Sequence, residues 1–298
     1  MRTVLLLLSL SVLCACAFSV AEARQNAQPA APQNAPSPQQ VTVPLSDPGR
    51  PAMLTVRLMW GGVTIRGANR KDMLIESQAS EDRRRGRLIV GGGTFILRGP
   101  GRGGDTTGLR RITQGGGFTV EGADNSVDVI SSANRGTDLT IQVPTRTHLK
   151  LSTLNDGPIV VENVEGDIEI NNQNESVTLT NIAGSVVANA HNGAVKVVMT
   201  RLAADKAMAF TSFNGNVDVT LPATAKANLK MRSDHGEIFT DFDIQIRPNT
   251  PPPAQTARTG DGRIRIDVNQ AIQGAVNGGG PEFELRTFNG NIYVRKGA

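Results

Sequence analysis

Three histidines, His148, His191 and His235, are the first candidates for proton transfer in this chain. His191 and His235 fall in turns beside a glycine, where other copies of the same short motif carry Asn or Asp, so turn chemistry accounts for them. Asp234-His235 would need a serine on a G-x-S-x-G elbow to read as a hydrolase pair, and the sequence has none. Gly91-Gly92-Gly93-Thr94 and Gly101-Arg102-Gly103-Gly104 lack the Lys-Ser/Thr that a phosphate loop needs. The acidic residues Glu162, Glu165, Asp167 and Glu169 alternate with apolar ones, as on a solvated strand face, and follow neither the calcium nonapeptide nor the EF-hand pattern. No metal and no cofactor is expected. Cys14 and Cys16 are the only cysteines, so the body of the protein has no disulfide, thiol nucleophile or thiolate zinc site.

Arginine is the informative residue. Residues 57–111 carry 12 Arg or Lys against 5 Asp or Glu, net +7, whereas residues 112–298 carry 16 against 20, net −4. Arg83, Arg84, Arg85, Arg87, Arg98, Arg102, Arg110 and Arg111 cluster in an irregular glycine-rich interval, 80–117, from which several could reach one polyanion together. The bland alternative is a solvated loop whose charge keeps an edge from aggregating.

The elements that would position such groups are set by a repeat. Gly157, Gly166, Glu175, Gly184 and Gly193 are spaced nine residues apart, and each is followed by a short alternating run such as Ile168-Glu169-Ile170 or Val195-Lys196-Val197. The motif loosens and returns as Phe213-Asn214-Gly215-Asn216-Val217-Asp218-Val219 and as Phe288-Asn289-Gly290-Asn291-Ile292-Tyr293-Val294. Asp234-His235-Gly236-Glu237-Ile238 and Gly260-Asp261-Gly262-Arg263-Ile264 read as further copies. Strand, polar turn, strand with no space for a helix predicts an all-β, single-stranded β-solenoid (β-helix); a β-sandwich of hairpins is the alternative. One Trp, one Tyr and 9 Phe among 298 residues suit a narrow interior of β-branched side chains. Val217/Val219 and Ile292/Val294 are expected to point inward, and Asn216/Asp218 outward. Asp156, Asn192, Asn214, His235, Asp261 and Asn289 precede glycines, which suggests left-handed turns.

Residues 1–23 read as a signal peptide, with Arg2, an apolar run from Val4 to Phe18 and the Ala21-Glu22-Ala23 cleavage motif. Leu13-Cys14-Ala15-Cys16 offers the competing lipoprotein reading, with a lipid anchor at Cys16. Residues 24–50, rich in Gln, Asn, Ala and Pro, read as a disordered linker, and 51–298 as the repeat domain. Within that domain Pro248 to Arg258 and Ala271 to Pro281 read as extruded loops, and Arg295 and Lys296 as charges blunting a terminal edge.

The units TSFNGNVDV, RTFNGNIYV, VEGDIEI and GGVTIRGANRKDMLIES resemble the DUF4097-like adhesin family of exported bacterial β-solenoid domains, across about residues 52–298. That resemblance implies a fold, no catalytic residues, and a binding or structural role at the cell envelope: in the periplasm, on the outer-membrane surface or outside the cell. The expected partner is an envelope polyanion (lipopolysaccharide, acidic lipid or acidic polysaccharide) or another surface protein, rather than nucleic acid, and the mature chain has no expected transmembrane segment. A β-helix enzyme acting on polysaccharide is the alternative.

Overall fold

The computed structural model describes residues 39–79, 87–90, 93–96, 118–131, 136–155, 157–246, 257–258, 264–265 and 271–297. The expected signal peptide and the Cys16 anchor lie outside them. In chain order the first strands are β1 (Gln39–Pro44), β2 (Ala52–Trp60), β3 (Val63–Ala68), β4 (Asp72–Ala79), β5 (Arg87–Val90), β6 (Gly93–Ile96), β7 (Phe118–Ala123), β8 (Ser126–Ser131) and β9 (Thr137–Pro144). The middle of the chain supplies β10 (Thr147–Asn155), β11 (Ile159–Glu162), β12 (Glu165–Asn172), β13 (Val177–Ala190), β14 (Val195–Leu202), β15 (Met208–Asn214) and β16 (Val217–Leu221). The last part supplies β17 (Ala227–His235), β18 (Ile238–Thr240), β19 (Ile244–Ile246), β20 (Ala257–Arg258), β21 (Ile264–Arg265), β22 (Ile272–Val276), β23 (Glu282–Asn289) and β24 (Ile292–Lys296).

Parallel, in-register pairing distinguishes the solenoid from a sandwich of hairpins. Eight coils each give one strand to a first ladder, ordered β8, β2, β10, β12, the second half of β13, β15, β23, β17. Each gives its next strand to a second ladder, ordered β9, β3, β11, the first half of β13, β14, β16, β24, β18. The nine-residue period is therefore half a coil. Units two apart are the hydrogen-bonded neighbours, so Gly166 faces Gly184 and Ile159 faces Val177.

Alternation sets what each strand buries. Val129, Val56, Leu151, Ile170, Ala188, Phe210, Leu285 and Met231 form one continuous inward row. Opposite it run the inward side chains of the second ladder; Val217, Val219, Ile292 and Val294 are all buried, as their alternation predicts. Rows of mostly aliphatic side chains fill this interior, which is why so few aromatics suffice.

Space and sequence part company at both ends of the stack. The coil β2–β3, early in the chain, lies between the coils β8–β9 and β10–β11. The last coil, β23–β24, lies between β15–β16 and β17–β18. Beyond the outermost coils come antiparallel strands: β7 against β8, then β4 against β9 and β1 against β4, and at the far end β22 against β17 and β19 against β22.

Several expectations are corrected. The linker expected to run to residue 50 gives way to the fold at Gln39, because Val41 and Val43 pack on the core and Leu45 is buried. The stretch 271–281 is not an extruded loop: Ile272–Val276 is a strand flanking β17, and Gly274 has the Ile244 side chain where a Cβ would sit. Ile264-Arg265 forms a separate two-stranded hairpin with Ala257-Arg258 instead of another coil. Arg295 and Lys296 pair with β16 only, since the pairing of β24 with β18 ends at Val294, and the Lys296 backbone N–H donates to Asp241 Oδ1 at 2.6 Å.

Candidate binding surface

The turn from the first ladder into the second repeats at each coil, and the coil below fixes it. Gly157, Gly193, Gly215, Gly290 and Gly236 stack so closely that a Cβ on any one would lie 2.1–2.3 Å, or for Gly215 2.5 Å, from the backbone beneath. Backbone approach alone demands glycine at Gly157, Gly193, Gly215 and Gly236, and at Gly290 a φ of 155° demands it as well. A polar row, buried at Asn172, Ser212 and Thr287 and half-buried at Ser233, satisfies four of its carbonyls. Ser212 donates to the Gly193 carbonyl, Thr287 to Gly215 and Ser233 to Gly290, each at 2.8 Å, and Asn172 donates to Gly157 at 3.2 Å.

The asparagines before these glycines serve a purpose other than the expected one. Asn192, Asn214 and Asn289 are not left-handed; among the described residues other than glycine that conformation falls to Asp124, Asn163, Asn181 and Asn277. Instead the side chains form an amide ladder. Asn174 donates to Asn155 at 3.3 Å, Asn192 to Asn174 at 3.1 Å, Asn214 to Asn192 at 2.8 Å and Asn289 to Asn214 at 2.7 Å. His235 takes the next place in register beside Asn289. Asp156 and Asp261 lie outside the described residues.

One residue earlier on each coil stands an outward row of rings. His191 stacks on Phe213 with centroids 4.9 Å apart and planes 8° from parallel, and Phe213 on Phe288 at 4.8 Å and 2°. His235 meets Phe288 edge-on at 4.9 Å. Two of the three histidines thus belong to an exposed ring column. Leu154 and Met59 continue the row beyond Gln173, exposed by 45% and 47%. On the second ladder Phe239 stacks on Tyr293 at 5.3 Å, and Arg295 lies over the Tyr293 ring.

His148 sits in a polar cluster that no local sequence signal reveals. Asp167 accepts from Lys206 Nζ at 2.6 and 2.7 Å and from Ser185 Oγ at 2.6 Å, and its own backbone N–H donates to His148 Nδ1 at 3.0 Å. The Lys206 hydrogen bond, then that of Ser185, hold the Asp167 carboxyl below its ordinary range against a smaller opposing effect of burial. Ser185 donates to the carboxylate and not to the imidazole, so His148 is not placed to activate it as a nucleophile. Elsewhere outward charges meet partners on the adjacent coil, as Lys150 does Glu169 at 3.0 Å, Arg66 does Glu162 at 3.2 Å and Lys230 does Glu284 at 3.6 Å.

Of the arginines expected to meet a polyanion, Arg87 opens β5, which pairs antiparallel with β6 in a hairpin separate from the main sheet. Arg83, Arg84, Arg85, Arg98, Arg102, Arg110 and Arg111 lie outside the described residues. A cleft of about 280 Å³ opens between β1 and β7, walled largely by Val41, Val43, Val120 and Val127. No group of three or more His, Cys, Asp or Glu able to hold a metal occurs among the described residues, and no helix there is long and apolar enough to cross a membrane.

No family model and no curated protein matches the chain. Two crystal structures are similar over most of its length. One is a provisionally assigned cell adhesion protein from Clostridium sporogenes, 11% identical, covering 87% of this chain and 100% of its own, with a TM-score of 0.43. The other is a provisionally assigned adhesin from Bacteroides fragilis, also 11% identical, covering 87% and 96%, with a TM-score of 0.30. Neither likeness is close enough to bear on what this chain binds.

Proposed function

We propose that the protein is a non-catalytic, adhesin-like binding module, exported to the cell envelope, where a rigid β-solenoid presents repeated outward rows to an extended partner. The observation that carries this reading is the corner itself. From Asn155 to Asn289 the same group recurs on successive coils, held by the coil below, so one long partner can be met at many points without ordering the protein on binding.

Within this reading the arginine interval supplies an electrostatic contact to an envelope polyanion, either lipopolysaccharide or acidic lipid or polysaccharide. The charge distribution supports it: residues 57–111 carry net +7 in one stretch, against net −4 over residues 112–298, where Lys150 and Lys230 are paired with acids of the adjacent coil. The test is co-sedimentation of the protein with isolated envelope fractions over a salt series, beside a variant with Arg83, Arg84, Arg85 and Arg87 changed to Glu. Binding that weakens with salt and is lost in the variant is expected. Equal sedimentation of both proteins, or of neither, would rule the contact out.

A further inference from the structure

The ring row and the amide ladder run side by side along the solenoid, and together they define a second surface with its own ligand chemistry. Met59, Leu154, Gln173, His191, Phe213 and Phe288 occupy equivalent positions on six adjacent coils. Phe213 and Phe288 remain 42% and 36% exposed. A centroid separation of 4.8 Å between nearly parallel rings exceeds the thickness of a ring, so the two are shingled; with His191 stacked on the other side of Phe213 and His235 edge-on to Phe288, the column presents overlapping apolar ring edges to solvent. Beside them Asn192 and Asn214 each commit one N–H and one carbonyl lone pair to the ladder, which leaves a second donor and a second acceptor on each amide. Neither row holds Asp, Glu, Lys or Arg between Met59 and Phe288. Four exposed large apolar side chains, Met59, Leu154, Phe213 and Phe288, in one row free of formal charge call for a partner.

We propose that this corner binds an uncharged, linear polysaccharide lying along the solenoid axis, with pyranose faces against Phe213 and Phe288 and hydroxyls on Asn192, Asn214 and Asn289. The Phe213 and Phe288 coils each offer an apolar ring beside an amide donor and acceptor at a step of about 4.8 Å, and the amide row continues at that step through Asn192, Asn174 and Asn155. A sugar ring in an extended glycan advances by a similar distance, and it too carries an apolar C–H face beside hydroxyls that both donate and accept. An extended peptide, at about 3.3 Å per residue, falls out of step with the coils. An acidic polymer would find no cation in either row. The proposal rests on the protein being a binding module but not on the arginine interval.

The test is electrophoresis of the full chain in native gels cast with hydroxyethyl cellulose, glycol chitin or laminarin, with sedimentation velocity on the free protein. At least one glycan is expected to retard the protein, and Phe213→Ala/Phe288→Ala should weaken retardation about tenfold, a change of ~1.4 kcal/mol. Phe213→Leu/Phe288→Leu, which keeps the apolar bulk and removes the rings, should weaken it similarly with an unchanged circular dichroism spectrum. The Arg83, Arg84, Arg85, Arg87→Glu variant should be retarded like the wild type, which separates failure of this site from failure of the polyanion contact. Retardation by none of the three glycans, or ring variants retarded as strongly as the wild type, overturns the proposal. So does a self-association that the ring variants abolish, since the row would then face a second copy of the chain.

Discussion

Asn289 donates to Asn214 at 2.7 Å across 75 residues of sequence. The bond marks where the last coil of the chain enters the stack, between the coil that holds Asn214 and the one that holds His235. A solenoid assembled strictly in chain order loses only a terminal nearest-neighbour interface when its last repeat is removed. Here the last repeat has coils on both sides, and the early β2–β3 coil is placed the same way.

The stability of the stack should therefore be as sensitive near its C-terminus as in its middle. Phe283, on the last coil, and Phe210, on the coil beside it, are both fully buried. Phe283→Ala and Phe210→Ala should each cost about 3–5 kcal/mol, read from urea unfolding midpoints. A Phe283→Ala cost well below that of Phe210→Ala would show that the last coil frays independently.

The glycine column makes a sharper prediction. A Cβ on Gly193 would lie 2.3 Å from the Glu175 carbonyl oxygen, and one on Gly215 would lie 2.5 Å from that of Gly193. Neither residue has a left-handed backbone, so alanine there is opposed by contact alone. Gly193→Ala and Gly215→Ala should each destabilise by at least ~1–3 kcal/mol, the usual cost of overpacking. Thermal melts of the two variants indistinguishable from wild type would show that adjacent coils can separate at the corner.

The coils were legible in the sequence because alternation and spacing are local. Val217/Val219 and Ile292/Val294 declare their inward direction, and the near-identity of the motifs around Asn214 and Asn289 reflects stacking on one another. The order of the coils was not legible, because each motif offers the same backbone edge and the same side chains to any neighbour. Ile272–Val276 was missed because its glycine and asparagine surroundings resemble a loop, although Gly274 is needed to pass Ile244. The purpose of the pre-glycine asparagines was misread because a left-handed turn and an amide ladder draw on the same residue; only the register separates them. The Asp167 cluster left no local trace, since Lys206 reaches Asp167 from 39 residues away.

The amide ladder should contribute to stability apart from any ligand. Asn192 is interior to it, donating to Asn174 and accepting from Asn214. Asn192→Ala removes both bonds, and with about 0.5–1.5 kcal/mol net for each, partly offset by solvent access, a loss of ~1 kcal/mol is expected in chemical denaturation. The same substitution at Asn189, whose single ladder bond goes to Asn171, should cost less. Reversal of that order would place the stabilisation in the strands rather than in the amides.

The Asp167–Lys206 contact predicts a pH dependence of definite sign. The carboxyl is held below its ordinary 3.8, first by the hydrogen bond from Lys206 and then by that from Ser185. A carboxyl depressed in the folded state contributes stability above its unfolded pKa and loses that contribution as pH falls through the folded value. Lys206→Met should therefore be less stable than wild type at neutral pH. Because both side chains are about half exposed, the difference should stay below about 1 kcal/mol. It should narrow as pH drops below 3.8 and vanish once Asp167 is protonated in both proteins. Denaturation midpoints of the pair followed from pH 7 to pH 2 give the curve, and a difference that stays constant across that range would assign the effect of Lys206 to packing of its methylene stem instead of to the charge.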